Sequence, residues 1–105
     1  MTDQLKQRIE DIIHGSPVVL FMKGQIDMPV CGFSARVADV LRAHNIEVTD
    51  INILEDEELR QGVKEYADWP TFPQLWVRGE LVGGCDIVME MEEAGELGKA
   101  LSIKN

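Results

Sequence analysis

Apolar residues recur along this chain at two spacings, and the change from one to the other divides it into helices and strands. Near the N-terminus, four apolar residues at helical spacing predict an amphipathic helix that ends at His14 and Gly15. These four residues are Leu5, Ile9, Ile12 and Ile13. A continuous apolar run rich in β-branched residues, Val18–Met22, follows closely and predicts a buried strand.

The region that follows completes a predicted β-α-β unit. Residues 23–30 are expected to form a loop, residues 31–44 a helix, and the alternating residues 48–53 a second strand. The apolar stripe of the helix consists of Phe33, Val37, Val40 and Leu41. Because parallel strands joined by a crossover connect right-handedly, we expect that hand here.

The C-terminal half predicts a third helix and then a β-hairpin. Acidic residues at 55–58 suit the positive end of a helix dipole, and the helix ends at Trp69 and Pro70. Its apolar stripe consists of Leu59, Val63, Tyr66 and Ala67. Two short strands, Gln74–Val77 and residues 81–83, are joined through a tight turn at residues 78–80.

A last helical region is expected to start at Asp86, which is a suitable N-cap, and to break at Gly95 before a short terminal helix. Its inward-facing candidates are Ile87, Val88 and Met91. This order of elements predicts one domain, residues 1–105, of the α/β class. We expect a small mixed four-stranded sheet with helices on both faces.

Composition limits the possible partners. Lys and Arg number 10 against 19 Asp and Glu, so the net charge is -9, which opposes non-specific binding to nucleic acid or to anionic membranes. Two cysteines are too few for a secreted disulfide framework, and no stretch approaches the ~18 apolar residues of a membrane span. The acidic, helical residues 1–14 are typical of neither a signal peptide nor a transit peptide. We therefore expect a cytoplasmic protein.

The thiol of Cys31 lies where the predicted loop becomes a helix. There, unpaired backbone N–H groups and the helix dipole favour the thiolate and can lower a cysteine pKa from about 8.5 to roughly 3.5–7.5. Lys23, in the preceding loop, adds positive charge. Ser34 occupies the position where redox motifs have a second cysteine, so no thiol one turn away can form a local disulfide.

Three motifs, in this order, resemble the monothiol glutaredoxins of the C-G-F-S type, which have a thioredoxin-like fold. They are C-G-F-S at residues 31–34, W-P-T-F-P-Q-L-W-V at residues 69–77 and G-G-C-D at residues 83–86. The resemblance implies that the chain binds glutathione and, as a homodimer, a bridging 2Fe–2S cluster. In that family each side of the cluster is held by one protein cysteine and one glutathione thiolate, which together supply four thiolates.

The resemblance also implies roles for individual residues. Cys31 matches the cluster ligand, and a cis peptide is implied between Phe72 and Pro73. The positions that match glutathione contacts are Lys23, Arg60, Phe72, Pro73, Cys85 and Asp86. Such a set suits an extended peptide with two carboxylates, which needs cations, a helix N-terminus and a free strand edge.

Some assignments stay open at this stage. Asp86 is either a simple N-cap or the acceptor for the amine of the ligand, and both roles are compatible. Cys85 is either a small buried hydrophobe or a resolving thiol for Cys31. Trp69 is either a packing residue or a shield beside the site.

Three functions remain possible from the sequence. The first is a carrier that hands a 2Fe–2S cluster to apo iron–sulfur acceptor proteins. The second is a glutathione-dependent thiol-disulfide oxidoreductase that acts through Cys31. The third is a regulatory partner of BolA-like proteins, which family members bind.

Overall fold

The computed structural model describes residues 1–102, which form a mixed sheet with helices on both sides. The helices are α1 (Asp3–Gly15), α2 (Gly32–Ala43), α3 (Glu57–Ala67), α4 (Cys85–Glu93) and α5 (Leu97–Leu101). The strands are β1 (Val18–Met22), β2 (Gly24–Gln25), β3 (Met28–Pro29), β4 (Thr49–Asn52), β5 (Gln74–Val77) and β6 (Glu80–Gly83). A single 3₁₀ turn, Ile53–Glu55, follows β4 in this part of the chain.

Four strands make the main sheet, in the order β4-β1-β5-β6. β1 pairs in parallel with β4, from Val19 opposite Thr49, which confirms the predicted β-α-β unit. β1 and β6 both pair antiparallel to β5, so the sheet is mixed. The predicted sheet of four strands is confirmed.

β1 is buried on both of its faces, which explains its continuous apolar sequence. Alternate side chains of a strand point to opposite faces, and here they join two separate core clusters. Val18, Leu20 and Met22 pack with α2, α4 and α5. Val19 and Phe21 pack with α1 and α3 on the other side. Helices therefore cover both faces of the sheet, as predicted.

The expected loop at residues 23–30 contains a small hairpin of β2 and β3. Gly24 pairs with Pro29, and Gln25 pairs with Met28. Gly24 has φ 96°, and a Cβ there would lie 2.7 Å from the Met28 carbonyl oxygen, so only glycine fits this close crossing. The sequence did not show the hairpin because strands of two residues are too short to alternate.

Two local predictions are wrong. Asp86 is not the N-cap of α4. The helix begins at Cys85 and its N-cap is Gly84, because Gly84 lies close to the carbonyl of Pro73 and the turn before the helix ends at this glycine. Phe33 is not part of the buried stripe of α2, since 59% of its surface is exposed, whereas Val37 and Leu41 are fully buried. Phe33 lies on the first turn of the helix.

The C-terminal elements follow the predicted pattern. α4 ends at Glu93, Gly95 takes φ 73°, and the short helix α5 begins at Leu97. Within residues 1–102, no helix is both long enough and apolar enough to cross a membrane.

Candidate functional site

Cys31 is the N-cap of α2, as the sequence predicts. Its backbone is extended (φ -143°, ψ 134°), and its carbonyl accepts the first helical hydrogen bond, from the Ala35 N–H at 2.8 Å. The preceding hairpin is closed by a hydrogen bond from the Val30 N–H to the Lys23 carbonyl. The thiol is partly exposed and lies in the field of the N-terminal N–H groups of the helix.

This position lowers the pKa of the Cys31 thiol. The backbone N–H of Ser34 is the main cause, and the Phe33 N–H, the Ser34 hydroxyl and the charge of Lys23 add to it. Partial burial opposes the shift but is outweighed. Although the sulfur makes no capping hydrogen bond of ideal geometry, the N–H groups still stabilise the thiolate. The predicted lowering of the pKa, including the contribution of Lys23, is confirmed.

Ser34 has a structural role that the sequence did not reveal. Its side chain is fully buried, and its hydroxyl accepts a hydrogen bond from the Lys23 N–H at 3.1 Å. The hydroxyl therefore ties the hairpin that precedes Cys31 to the first turn of α2. Only this tertiary contact, eleven residues away in the chain, explains why a serine is buried here.

A groove of about 540 Å³ brings together every residue that the sequence predicts to contact glutathione. Its wall includes Lys23, Arg60, Phe72, Pro73, Cys85 and Asp86. Cys31 does not line the groove, but Phe33, two residues later, does. The volume falls within the range of about 300–1,000 Å³ that is typical of small-molecule sites.

Three cations line the groove. Lys64 lies in the wall together with Lys23 and Arg60, although the sequence did not point to Lys64 as a site residue. Lys64 follows Arg60 by four residues on α3, so the two side chains lie on one helix face. This spacing could have predicted that Lys64 belongs to the site. Arg60 contacts Glu57 at 3.2 Å, while its Nε is buried and has no hydrogen-bond partner. The guanidinium thus keeps donor capacity for a ligand.

The segment before β5 and the turn before α4 also form part of the groove wall. The peptide bond between Phe72 and Pro73 is cis, as the resemblance implied. Gly84 lies against this segment: a Cβ there would be 3.2 Å from the Pro73 carbonyl oxygen and 3.4 Å from Trp69 Nε1. Trp69 lines the groove, and its indole N–H is buried without a partner. Trp69 is therefore part of the site wall, besides any packing role.

Comparison with known proteins agrees with this architecture. The glutaredoxin family model matches residues 18–82, from the first strand of the main sheet to its last. The chain belongs to the glutaredoxin family. The matched region contains Cys31 and most of the groove, whereas Cys85 and Asp86 lie just beyond it.

Several relatives of the chain are monothiol glutaredoxins. The mitochondrial monothiol glutaredoxin-5 of Lachancea kluyveri is 50% identical over 104 residues, which are 96% of this chain and 73% of that protein. The chloroplastic monothiol glutaredoxin-S14 of Arabidopsis thaliana is 54% identical over 97 residues, 92% of this chain but 56% of that protein. Other plant relatives are longer still, and the chain spans 20% of their length.

A solved structure shows the same fold. The solution structure of reduced poplar apo GrxS14 matches with a TM-score of 0.79 and 50% sequence identity, covering 90% of this chain and 87% of that one. The thioredoxin-like architecture of this glutaredoxin is thus confirmed.

The second cysteine of this glutaredoxin differs from the first in its burial and in the direction of its pKa shift. Cys85 is 8% exposed, and both cysteines are free thiols. Burial raises the pKa of Cys85, and the charges of Asp86 and Cys31 raise it further, while Arg36 opposes the shift. A protonated, buried thiol is a poor nucleophile, so the structure favours the buried-hydrophobe interpretation over a resolving thiol.

A metal centre cannot be assembled from one chain's described residues. Within residues 1–102, no group of three or more His, Cys, Asp or Glu side chains could hold a metal ion. Cys31 is the accessible low-pKa thiol of this region.

Proposed function

We propose that this monothiol glutaredoxin binds glutathione and carries a 2Fe–2S cluster, which it hands on to apo iron–sulfur acceptor proteins. The observation on which the proposal rests is the contrast between the two ends of the C-G-F-S motif. Cys31 is accessible with a lowered pKa, whereas Ser34 is buried and bonded to Lys23. The C-G-F-S motif offers no second thiol, and Cys85 is buried with a raised pKa, so the Cys31 thiolate stays available to iron.

The charges of the groove suit glutathione. In a chain of net charge -9, three cations gathered in one groove are an unusual local excess that favours a carboxylate. Lys23 and Arg60 are placed to bind the carboxylate at one end of the tripeptide. The second carboxylate fits the N-terminus of α4, where the N–H groups of Cys85 and Asp86 are unpaired helix donors. The exposed Asp86 carboxylate suits the ligand's amine.

The available ligands also fit a shared cluster. A 2Fe–2S cluster of this kind needs four thiolates, and each chain supplies one, that of Cys31. Two chains and two glutathione molecules complete the set, which makes the cluster-bound form a homodimer. The cluster is the cargo, and small exchangeable thiol ligands make its release to an acceptor easier than release from four protein cysteines.

A second candidate function is supported by the same thiol. A partly exposed cysteine with a lowered pKa is a nucleophile, and it can act in glutathione-dependent thiol-disulfide exchange. In that reaction the Cys31 thiolate attacks the glutathione sulfur of a mixed disulfide and releases the protein thiol. A second glutathione then attacks the Cys31–glutathione disulfide, which yields glutathione disulfide and regenerates the Cys31 thiolate.

The two functions can be separated by measuring both activities of one preparation. We would compare transfer of cluster to an apo-ferredoxin with reduction of a glutathionylated substrate, at one glutathione concentration. A carrier transfers cluster readily and turns over disulfide slowly. Fast disulfide turnover with negligible cluster transfer would refute the carrier function.

Ser34→Cys sharpens this comparison. A cysteine at this position restores C-x-x-C and allows Cys31 to be consumed in a local disulfide, so disulfide turnover should rise while cluster transfer falls. The matched control is Ser16→Cys, which makes the same substitution at a residue outside the groove and should leave both activities close to those of the wild type.

A further inference from the structure

Gln74 is a buried polar residue whose purpose the proposed function does not explain. Among residues 1–102, only Ser34 and Gln74 are classed as buried polar side chains, and both are fully inaccessible. A buried primary amide is costly unless its two N–H donors and its carbonyl oxygen find partners. An apolar side chain would fill the same space without that cost, so the hydrogen bonds of Gln74 deserve an explanation.

Every donor of the Gln74 amide is used. Its Nε2 donates to the carbonyl oxygen of Trp69 at 3.2 Å and to that of Thr71 at 3.3 Å. Its Oε1 accepts a hydrogen bond from Trp76 Nε1 at 3.1 Å. One side chain thus connects three other residues.

These hydrogen bonds join a rigid part of the molecule to a loop. Gln74 and Trp76 lie two residues apart on β5, and the indole of Trp76 packs in the core between the sheet and α1 and α3. Residues 68–73 lie outside helices and strands, and they include Pro70 and Pro73, which have no N–H to donate. Five consecutive residues of this loop, 69–73, line the groove.

We propose that Gln74 is a positioning residue for the glutathione site. It holds the carbonyl groups of Trp69 and Thr71 and thereby fixes the course of a loop whose residues line the groove. Gln74 itself does not line the groove, so it acts through the loop and not by contact with the ligand. This inference rests on the proposed function of the groove as a glutathione site.

Only an amide can satisfy this arrangement. A glutamate keeps the shape and can accept from Trp76, but an ionised carboxylate has no N–H for the two loop carbonyls. A methionine keeps the volume and makes none of the three hydrogen bonds. Gln74→Glu and Gln74→Met should therefore both release the loop, for different reasons.

The experiment measures glutathione affinity by calorimetry and backbone amide exchange by NMR in the same proteins. In Gln74→Met we expect a roughly tenfold rise in the glutathione Kd, since two hydrogen bonds that order the site are lost. Amide exchange should accelerate at Thr71 and Phe72 more than in α1. Tyr66→Phe is the matched control, because it removes the hydroxyl that donates to Glu10 but keeps the ring beside Trp76 and all three hydrogen bonds of Gln74.

A purely structural role predicts a different pattern. In that case Gln74→Met and Tyr66→Phe would weaken the protein globally, with exchange rising evenly and the Kd unchanged, and the positioning role would be wrong. Should both Gln74 variants fail to fold, Trp76→Phe removes the hydrogen bond that orients the amide, together with the pyrrole part of a buried indole, and leaves the amide itself in place. We expect it to raise the Kd about two- to threefold, and an unchanged Kd together with unchanged exchange at Thr71 would overturn the proposal.

The two readouts also separate this inference from the proposed function. If the wild-type protein does not bind glutathione, the proposed function fails. The exchange measurement still decides whether Gln74 orders the loop, because it needs no ligand. If glutathione binds but neither readout responds to Gln74→Met, the proposed function stands and the positioning role is rejected.

Discussion

Replacing Ser34 with alanine should both destabilise the fold and weaken the thiolate at Cys31. The Ser34 hydroxyl is fully buried and accepts the Lys23 N–H at 3.1 Å, so its removal leaves a partly buried N–H without an acceptor. An unsatisfied donor of this kind costs about 1–3 kcal/mol. Because small domains are stable by only about 5–15 kcal/mol, the loss is easily measured.

The same substitution should raise the pKa of Cys31, but only part of the way to its ordinary value. The Ser34 hydroxyl helps to lower that pKa, whereas the larger cause, the Ser34 backbone N–H, remains in Ser34→Ala. A looser Lys23 segment should also weaken the contribution of the lysine charge.

Urea denaturation and ultraviolet titration of the thiolate measure the two effects separately. Ser16→Ala is the control: its hydroxyl pairs with Thr49 at an exposed site, and we expect a loss of stability below about 0.5 kcal/mol with no change at Cys31. If Ser34→Ala is as stable as the wild type and titrates at the same pH, the hydroxyl does not connect the hairpin to the thiol as argued.

Three further predictions follow from the charges of the site. Glu57→Gln should lower the glutathione Kd about two- to threefold in calorimetry, since Glu57 competes with the ligand for Arg60. The control Glu58→Gln makes the same change in charge and should have a smaller effect. Equal effects of the two substitutions would refute the competition. Iodoacetamide should alkylate Cys31 at least tenfold faster than Cys85 in peptide mapping, and equal rates would contradict their opposite pKa shifts. The pKa of Cys31 in the folded state lies below its ordinary value of 9.0. The thiolate therefore contributes its full stabilisation of the fold above pH 9.0, and this contribution is lost as the pH falls through the folded-state pKa. The stability difference between wild type and Cys31→Ser, measured by urea denaturation, should therefore grow with rising pH, and a constant difference would contradict the shift.

The local pattern of the sequence was sufficient for the main elements. β1 and β5 occupy the predicted residues. Both strands are buried, and a buried strand is recognisable in the sequence as a short, mostly apolar run. The position of Cys31 at a helix N-terminus was also predictable, since the change from strand to helix periodicity surrounds it. Motif resemblance then located six groove residues that are far apart in the chain.

What the sequence could not show depends on tertiary contacts. Asp86 is a residue type that favours N-caps, but the close approach of Gly84 to Pro73 starts α4 two residues earlier than an Asp86 cap allows. Ser34 is buried because its hydroxyl binds Lys23 in another segment, and Gln74 is buried because its amide binds the carbonyl of Trp69 in the loop. The spacing of residues in the sequence predicts neither contact. Lys64 was missed because one more lysine on a helix is usually just a solvated charge.

Reconstitution of the purified protein with iron and sulfide, with and without glutathione, tests the central claim most directly. Size-exclusion chromatography combined with iron, sulfide and glutathione analysis reports the assembly and its ligands. We predict a dimer with one 2Fe–2S cluster and two glutathione molecules per two chains, formed only when glutathione is present and abolished by Cys31→Ser. Equal cluster loading in the absence of glutathione or any other small thiol would contradict the proposed ligand set.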